Sequence, residues 1–188
     1  MSTTQLTKGE KRRNQILKIA REQLIKGGYE QFVMRDIAAQ ASMRLGNLQY
    51  YFATRDDLLE AVICAEAQTD LVRIHALEKK HDQPEMLLKS LCLTMLEKWQ
   101  GEGCKIFTLM SFLATVNPTF AQLYADIYNR FYAAIIPLLK DLNPGQEELT
   151  YRNKAMLITA LIDGGAGQVS TDKQFAEMLA EQAVKIAT

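Results

Sequence analysis

Apolar residues return every three to four positions along the chain, and no stretch alternates apolar with polar side chains as a half-buried strand does. With no sheet face to bury, the expected fold class is all-α. Residues 11–25 place Ile16, Leu17, Ala20 and Leu24 on one stripe and run into Gly27-Gly28, a helix C-terminal signal. Residues 33–41 form a short amphipathic piece with Ile37, Ala38 and Ala41 inward. Ser42-Met43-Arg44 then turn the chain into a third piece ending at Phe52. Thr54, with Asp57 three positions on, caps a fourth helix that reaches about Lys80. Pro84 and Pro118 stand at first helical positions, and further starts follow Asn143-Pro144-Gly145 and Thr171, with Gln174 after it. Pro137 lies inside an apolar helical run, which it should kink or end. The expectation is about nine helices, with a three-helix head over residues 1–55 and a larger helical body over 56–188.

A chain of 188 residues with 48% apolar side chains can bury a core, which argues against a disordered tail. The longest apolar runs, 133–139 and 155–162, fall well short of the roughly 18 residues a membrane helix needs. The N-terminal segment is polar and then basic with no apolar stretch after it, so no secretory leader and a cytoplasmic location are expected. Cys64, Cys92 and Cys104 are an odd number and form no CxxC, so they read as small apolar residues rather than disulfide or zinc partners. His75 and His81 are six apart without an HExxH, and no GxSxG or Walker spacing occurs. No metal, no cofactor and no enzymatic activity are expected.

A formal net charge of +0 conceals an asymmetry, with +6 over residues 1–55 and −6 over 56–188. A basic head attracts a polyanion, and an acidic body is held away from it. A helix, a tight turn and a second helix form the arrangement that can lay one helix in the DNA major groove. With Leu48 and Phe52 expected to pack inward, Arg44, Leu45, Asn47, Gln49, Tyr50 and Tyr51 remain as candidates for the outer face. Asn and Gln can pair with adenine, Arg with guanine, and Leu with a thymine methyl.

The stretch from Ile37-Ala38-Ala39 through Gly46-Asn47-Leu48-Gln49-Tyr50-Tyr51-Phe52 to Arg55-Asp56-Asp57-Leu58-Leu59 resembles the N-terminal domain of the TetR family of bacterial transcriptional regulators. The likeness is dense over residues 11–62. It implies base contacts from the third helix (Arg44, Leu45, Asn47, Gln49, Tyr50) and DNA-backbone contacts from Arg35, Tyr51 and Arg55. Three positions depart from the family pattern: Ser42 where Gly is frequent in the turn, Val33 where Thr often caps the second helix, and Gln49 where Tyr is frequent.

For the body the resemblance implies a small-molecule pocket and a homodimer interface formed mainly by the last two helices. Phe120, Tyr124, Tyr128, Phe131 and Tyr132 share one helix face, with Trp99, Phe107, Met110 and Phe112 nearby in sequence. Such a stripe serves as plain core or as a pocket wall. The pocket candidates are His75, Trp99, Phe107, Met110, Phe112, Tyr124, Tyr128 and Phe131; the interface candidates are Leu161, Gly164, Gly165 and Met178. Gly164, Gly165 and Gly167 weaken a helix, so close packing or a helix end should compensate. The expected partners are a palindromic double-stranded operator, a small apolar or aromatic effector and a second copy of the chain. The expected role is a repressor released by its effector. The alternatives are an activator or a helical protein-interaction module that keeps the head.

Overall fold

A computed structural model describes residues 6–99, 101–166, 168 and 173–188. Among these residues it has nine α-helices and no strand: α1 Lys8–Gly27, α2 Met34–Gln40, α3 Leu45–Tyr51, α4 Arg55–Glu78, α5 Pro84–Trp99, α6 Gly103–Val116, α7 Pro118–Leu142, α8 Glu148–Ala166 and α9 Lys173–Ala187. The expected start at Thr171 and the glycine at 167 lie outside the described residues. No helix of the described residues is long and apolar enough to cross a membrane.

The local signals act as their chemistry dictates. Thr7 and Glu10 form a reciprocal capping box on α1, and Thr54 and Asp57 do so on α4. Asn117 caps α7 by accepting from the Thr119 backbone N–H, with Pro118 as the first helical residue. Val33 sits at the N-cap of α2 without a side-chain hydrogen bond, as its missing hydroxyl requires. Pro137 does not end α7, which continues to Leu142. The ring removes one N–H donor, and burial of Ile135, Leu138 and Leu139 around it holds the helix.

Two apolar clusters organise the packing. The first joins Ile16, Phe32, Ile37, Leu48 and Phe52 of the head to Leu58, Leu59, Val62 and Ile63 of α4, and continues into α6 and α7 through Ile106, Met110 and Phe120. The second gathers the later part of α4, α5, the end of α7, α8 and α9 around Leu88, Leu96, Leu139, Ala155 and Ile158. Helix α4 therefore enters both clusters. Cys92 is buried, and burial pushes its thiol up to about 12, while Cys64 and Cys104 are half-buried.

The two glycines of α8 differ in kind. A Cβ on Gly165 would stand 2.3 Å from Leu179 Cδ1 of α9, whereas one on Gly164 would meet nothing within 4 Å. Gly165 is thus the close approach that offsets its poor helix propensity. Gly165→Ala should lower stability by about 1–2 kcal/mol through overpacking, and Gly164→Ala should raise it by about 0.5–1 kcal/mol. Urea midpoints of the two variants at low protein concentration should move in opposite directions.

Candidate functional site

The head is fastened before it presents anything. Leu48 is fully buried and Phe52 nearly so, anchoring α3 from beneath. Arg12 of α1 donates to the Ala41 carbonyl at 2.8 Å, pinning the turn between α2 and α3, and the Arg13 guanidinium lies over the Phe52 ring at 4.9 Å. In that turn Ser42 takes φ +52°, a left-handed conformation that favours glycine and costs a side chain about 1 kcal/mol. The Met43 N–H donating to the Ala38 carbonyl at 2.9 Å closes the turn.

With its inner face held, α3 exposes Asn47, Gln49 and Tyr50, with Arg44 exposed at its N-cap and Leu45 half-buried. Tyr50 is 85% exposed, an unusual position for so large a ring, and stands edge-on to the half-buried Tyr51 at 5.5 Å. Arg35 is exposed on α2. A surface cleft bordered by Lys8, Lys11, Arg12 and Tyr51 lies beside this helix, and Arg12 and Tyr51 also border a second one with Asn47 and Tyr50. Lys8 and Lys11 were legible only as part of the basic excess; their place next to α3 follows from how α1 packs.

Arg55 has a different setting. Its Nε donates to the Phe32 carbonyl at 2.8 Å, a second nitrogen donates to the Tyr29 carbonyl, and its guanidinium covers the Tyr29 ring at 4.0 Å. It ties the α1–α2 connection to the start of α4, so its guanidinium is already engaged within the head.

The body contains a cavity of about 50 Å³, with room for a few waters. Of the pocket candidates, Trp99, Phe107, Tyr128 and Phe131 line it, together with Ile74, Leu91, Met95, Ile135, Ile158 and Ile162. The other pocket candidates do not border it. Met110 is fully buried in the first cluster, Tyr124 stacks on Tyr128 at 4.4 Å, Phe112 is 61% exposed, and His75 is exposed with Nδ1 3.2 Å from Glu78. Two carboxylates and Thr159 also line the cavity, none of which the sequence reading had placed there.

Asp70 is 3% exposed and belongs to a buried ion network. Lys98 Nζ donates to Asp70 Oδ2 and lies 3.3 Å from Glu66 Oε1, while Arg21 Nε of α1 donates to Glu66 Oε2 at 2.7 Å. Burial opposes charge on Glu66, but Arg21 and Lys98 outweigh it and hold its carboxyl below the usual range. On Asp70 burial wins over Lys98 and raises the carboxyl. Asp70 Oδ1 is buried without a hydrogen bond, and the Arg73 guanidinium is 3.9 Å away. Asp163 accepts from the Tyr128 hydroxyl at 2.5 Å, and burial pushes its carboxyl up to about 6. The same burial, with Asp163 beside it, raises the Tyr128 hydroxyl.

Of the interface candidates, Gly164 and Met178 are exposed, Leu161 is half-buried, and Gly165 is buried against Leu179 of its own chain. Leu149 and Leu157 add exposed apolar surface on α8. No group of three or more His, Cys, Asp or Glu among the described residues could hold a metal.

Residues 16–62 match the family model of bacterial regulatory proteins, tetR family. A similar curated protein is an HTH-type transcriptional regulator in the dhlA 5′ region of Xanthobacter autotrophicus, 34% identical over 127 residues, which are 64% of this chain and 61% of that protein. The fold is similar to that of a TetR-family regulator from Mesorhizobium loti, with a TM-score of 0.80, 16% identity and 97% of each chain covered. It is also similar to a transcriptional regulator from Saccharomonospora viridis solved in complex with choline, with a TM-score of 0.69, 20% identity, and 93% of this chain and 94% of that one covered. The tetR-family match thus falls on the head, residues 16–62, and the nine-helix architecture of the described residues is similar to that of solved TetR-family regulators.

Proposed function

We propose that the chain is a sequence-specific DNA-binding repressor, acting in the cytoplasm as a homodimer on a palindromic operator and released by a small, largely apolar or aromatic effector. The observation that carries this reading is the presentation of Arg44, Asn47, Gln49 and Tyr50 on a seven-residue helix whose inner face is locked by Leu48 and Phe52. Phosphate contacts position such a head, and base contacts choose the sequence. Arg35 and Tyr51 are the proposed positioning contacts, with Lys8 and Lys11 beside them. Arg55 contributes by holding the shape of the head.

Two exposed apolar stretches, Leu149, Met156 and Leu157 on α8 with Met178 on α9, support self-association through these helices. The cavity supports the effector role, and α4 supports the coupling. Its first turns carry Leu58 and Leu59 into the core of the head, while Asp70 and Ile74 of the same helix line the cavity. A ligand that fits one position of α4 better than another shifts the spacing of two heads by that difference in affinity.

Gln49→Ala should cost about 1–3 kcal/mol on the operator, concentrated at one base position. Arg35→Ala should weaken operator and random DNA alike and lower the salt slope by about 1. Anisotropy titrations on both DNAs at two salt concentrations separate the two patterns. Equal loss on operator and random DNA for Gln49→Ala removes it from the reading set.

A further inference from the structure

The cavity is not chemically neutral: its two charged lining residues, Asp70 and Asp163, are both acids, beside the hydroxyls of Tyr128 and Thr159. Among the described residues Asp163 has the Tyr128 hydroxyl as a partner but no cation within ion-pair distance. Asp70, almost fully buried, leaves Oδ1 without a donor after Lys98 has taken Oδ2. The rings of Trp99, Phe107, Tyr128 and Phe131 line the same cavity, and Lys98 Nζ already lies 5.1 Å from the centre of the Phe107 ring. Ring faces are negative ends of quadrupoles and attract a cation, most strongly in a site that excludes water.

We propose that the ligand of this cavity is an organic cation, an alkylammonium on a small apolar or aromatic body, whose charge is balanced by Asp163 while Asp70 offers a second acceptor. This rests on the effector reading above and deepens it. A neutral apolar ligand leaves the Asp163 carboxylate without a counter-charge, and an anion is repelled by it, since only Asp70 has Lys98 and Arg73 nearby. An ammonium group supplies the counter-charge that Asp163 lacks, in a cavity walled by rings. Because the cavity holds only about 50 Å³, binding must also widen it, and α4 and α8 are the helices that carry the two acids.

Trp99 is the chain's one tryptophan and lines the cavity, so its fluorescence reports occupancy. The full chain is titrated with phenethylammonium and with neutral 2-phenylethanol, and both titrations are repeated on Asp163→Asn. The ammonium should bind at least about 10-fold tighter than the alcohol. In Asp163→Asn that preference should fall to about 3-fold or less, through weaker ammonium binding, tighter alcohol binding or both. An alcohol bound as tightly as the ammonium, or an undiminished preference in Asp163→Asn, overturns the cation assignment and leaves the effector cavity standing. Silence of Trp99 toward both probes overturns both.

Discussion

Lys98→Met should destabilise the chain by about 3–5 kcal/mol, the scale for breaking a buried ion pair by removing one partner. The Lys98 side chain is 10% exposed, and its ammonium lies between Glu66 and Asp70. Methionine fills a similar volume, so packing is largely kept and the loss reports charge. Glu66 retains Arg21, but Asp70 keeps only Arg73, 3.9 Å from Oδ1. Urea unfolding at pH 7 measures the loss, and Lys98→Arg should recover a large part of it. Lys89→Met is the control. Lys89 bridges Glu177 and Glu181 in solvent, where ion pairs contribute little, so no comparable loss should follow. A small and equal effect for Lys98→Met and Lys89→Met would mean that the Glu66–Lys98–Asp70 network is not what fastens α4 to α5.

Asp163→Asn should do the opposite and stabilise the chain by about 1–3 kcal/mol at pH 7. Burial raises the folded-state pKa of Asp163 from 3.8 to about 6, so the folded state binds its proton more tightly than the unfolded one. Below pH 3.8 the carboxyl is protonated in both states and the cost is absent. Between pH 3.8 and about 6 the unfolded state ionises first, and stability from this group falls as pH rises. Above that window the whole cost stands. Asparagine keeps an acceptor for the Tyr128 hydroxyl and removes the charge. The difference between wild-type and variant stability should therefore grow across this window and level off above it, as read from urea midpoints at several pH values. A flat difference would mean that Asp163 ionises as freely folded as unfolded. A stabilising loss of a cavity residue is what a site kept for binding rather than for folding produces.

The fold was legible because its punctuation is local. Thr54 with Asp57, Pro84 and Pro118 mark helix starts by chemistry confined to one turn, and each stands where expected. The head was legible for the same reason, since Leu48 and Phe52 reach inward at a spacing that leaves Asn47, Gln49 and Tyr50 outside. The cavity was legible only in its rings. Phe112 lies off the buried Phe107, Met110 and Leu113 stripe of α6, so bulk near the cavity in sequence did not mean proximity in space. His75 turns outward to Glu78. Asp70 and Asp163 escaped because an acid in an amphipathic helix ordinarily marks the solvent face. A signal did exist on α4, where Glu66 and Asp70 fall within the buried register set by Ile63, Ala67, Leu71 and Ile74. Their cationic partners come from α1 and α5, which only tertiary packing brings together.

Selection of bound duplexes from a random-sequence library, followed by titration of the winner at two salt concentrations, tests sequence-specific DNA binding most directly. The proposed function predicts an enriched inverted repeat, bound at about 10⁻⁸ M or tighter at physiological salt and at least about 10³-fold more tightly than random DNA, with affinity falling steeply as salt rises. Recovery of no common sequence, with equal affinity for every duplex, would contradict it.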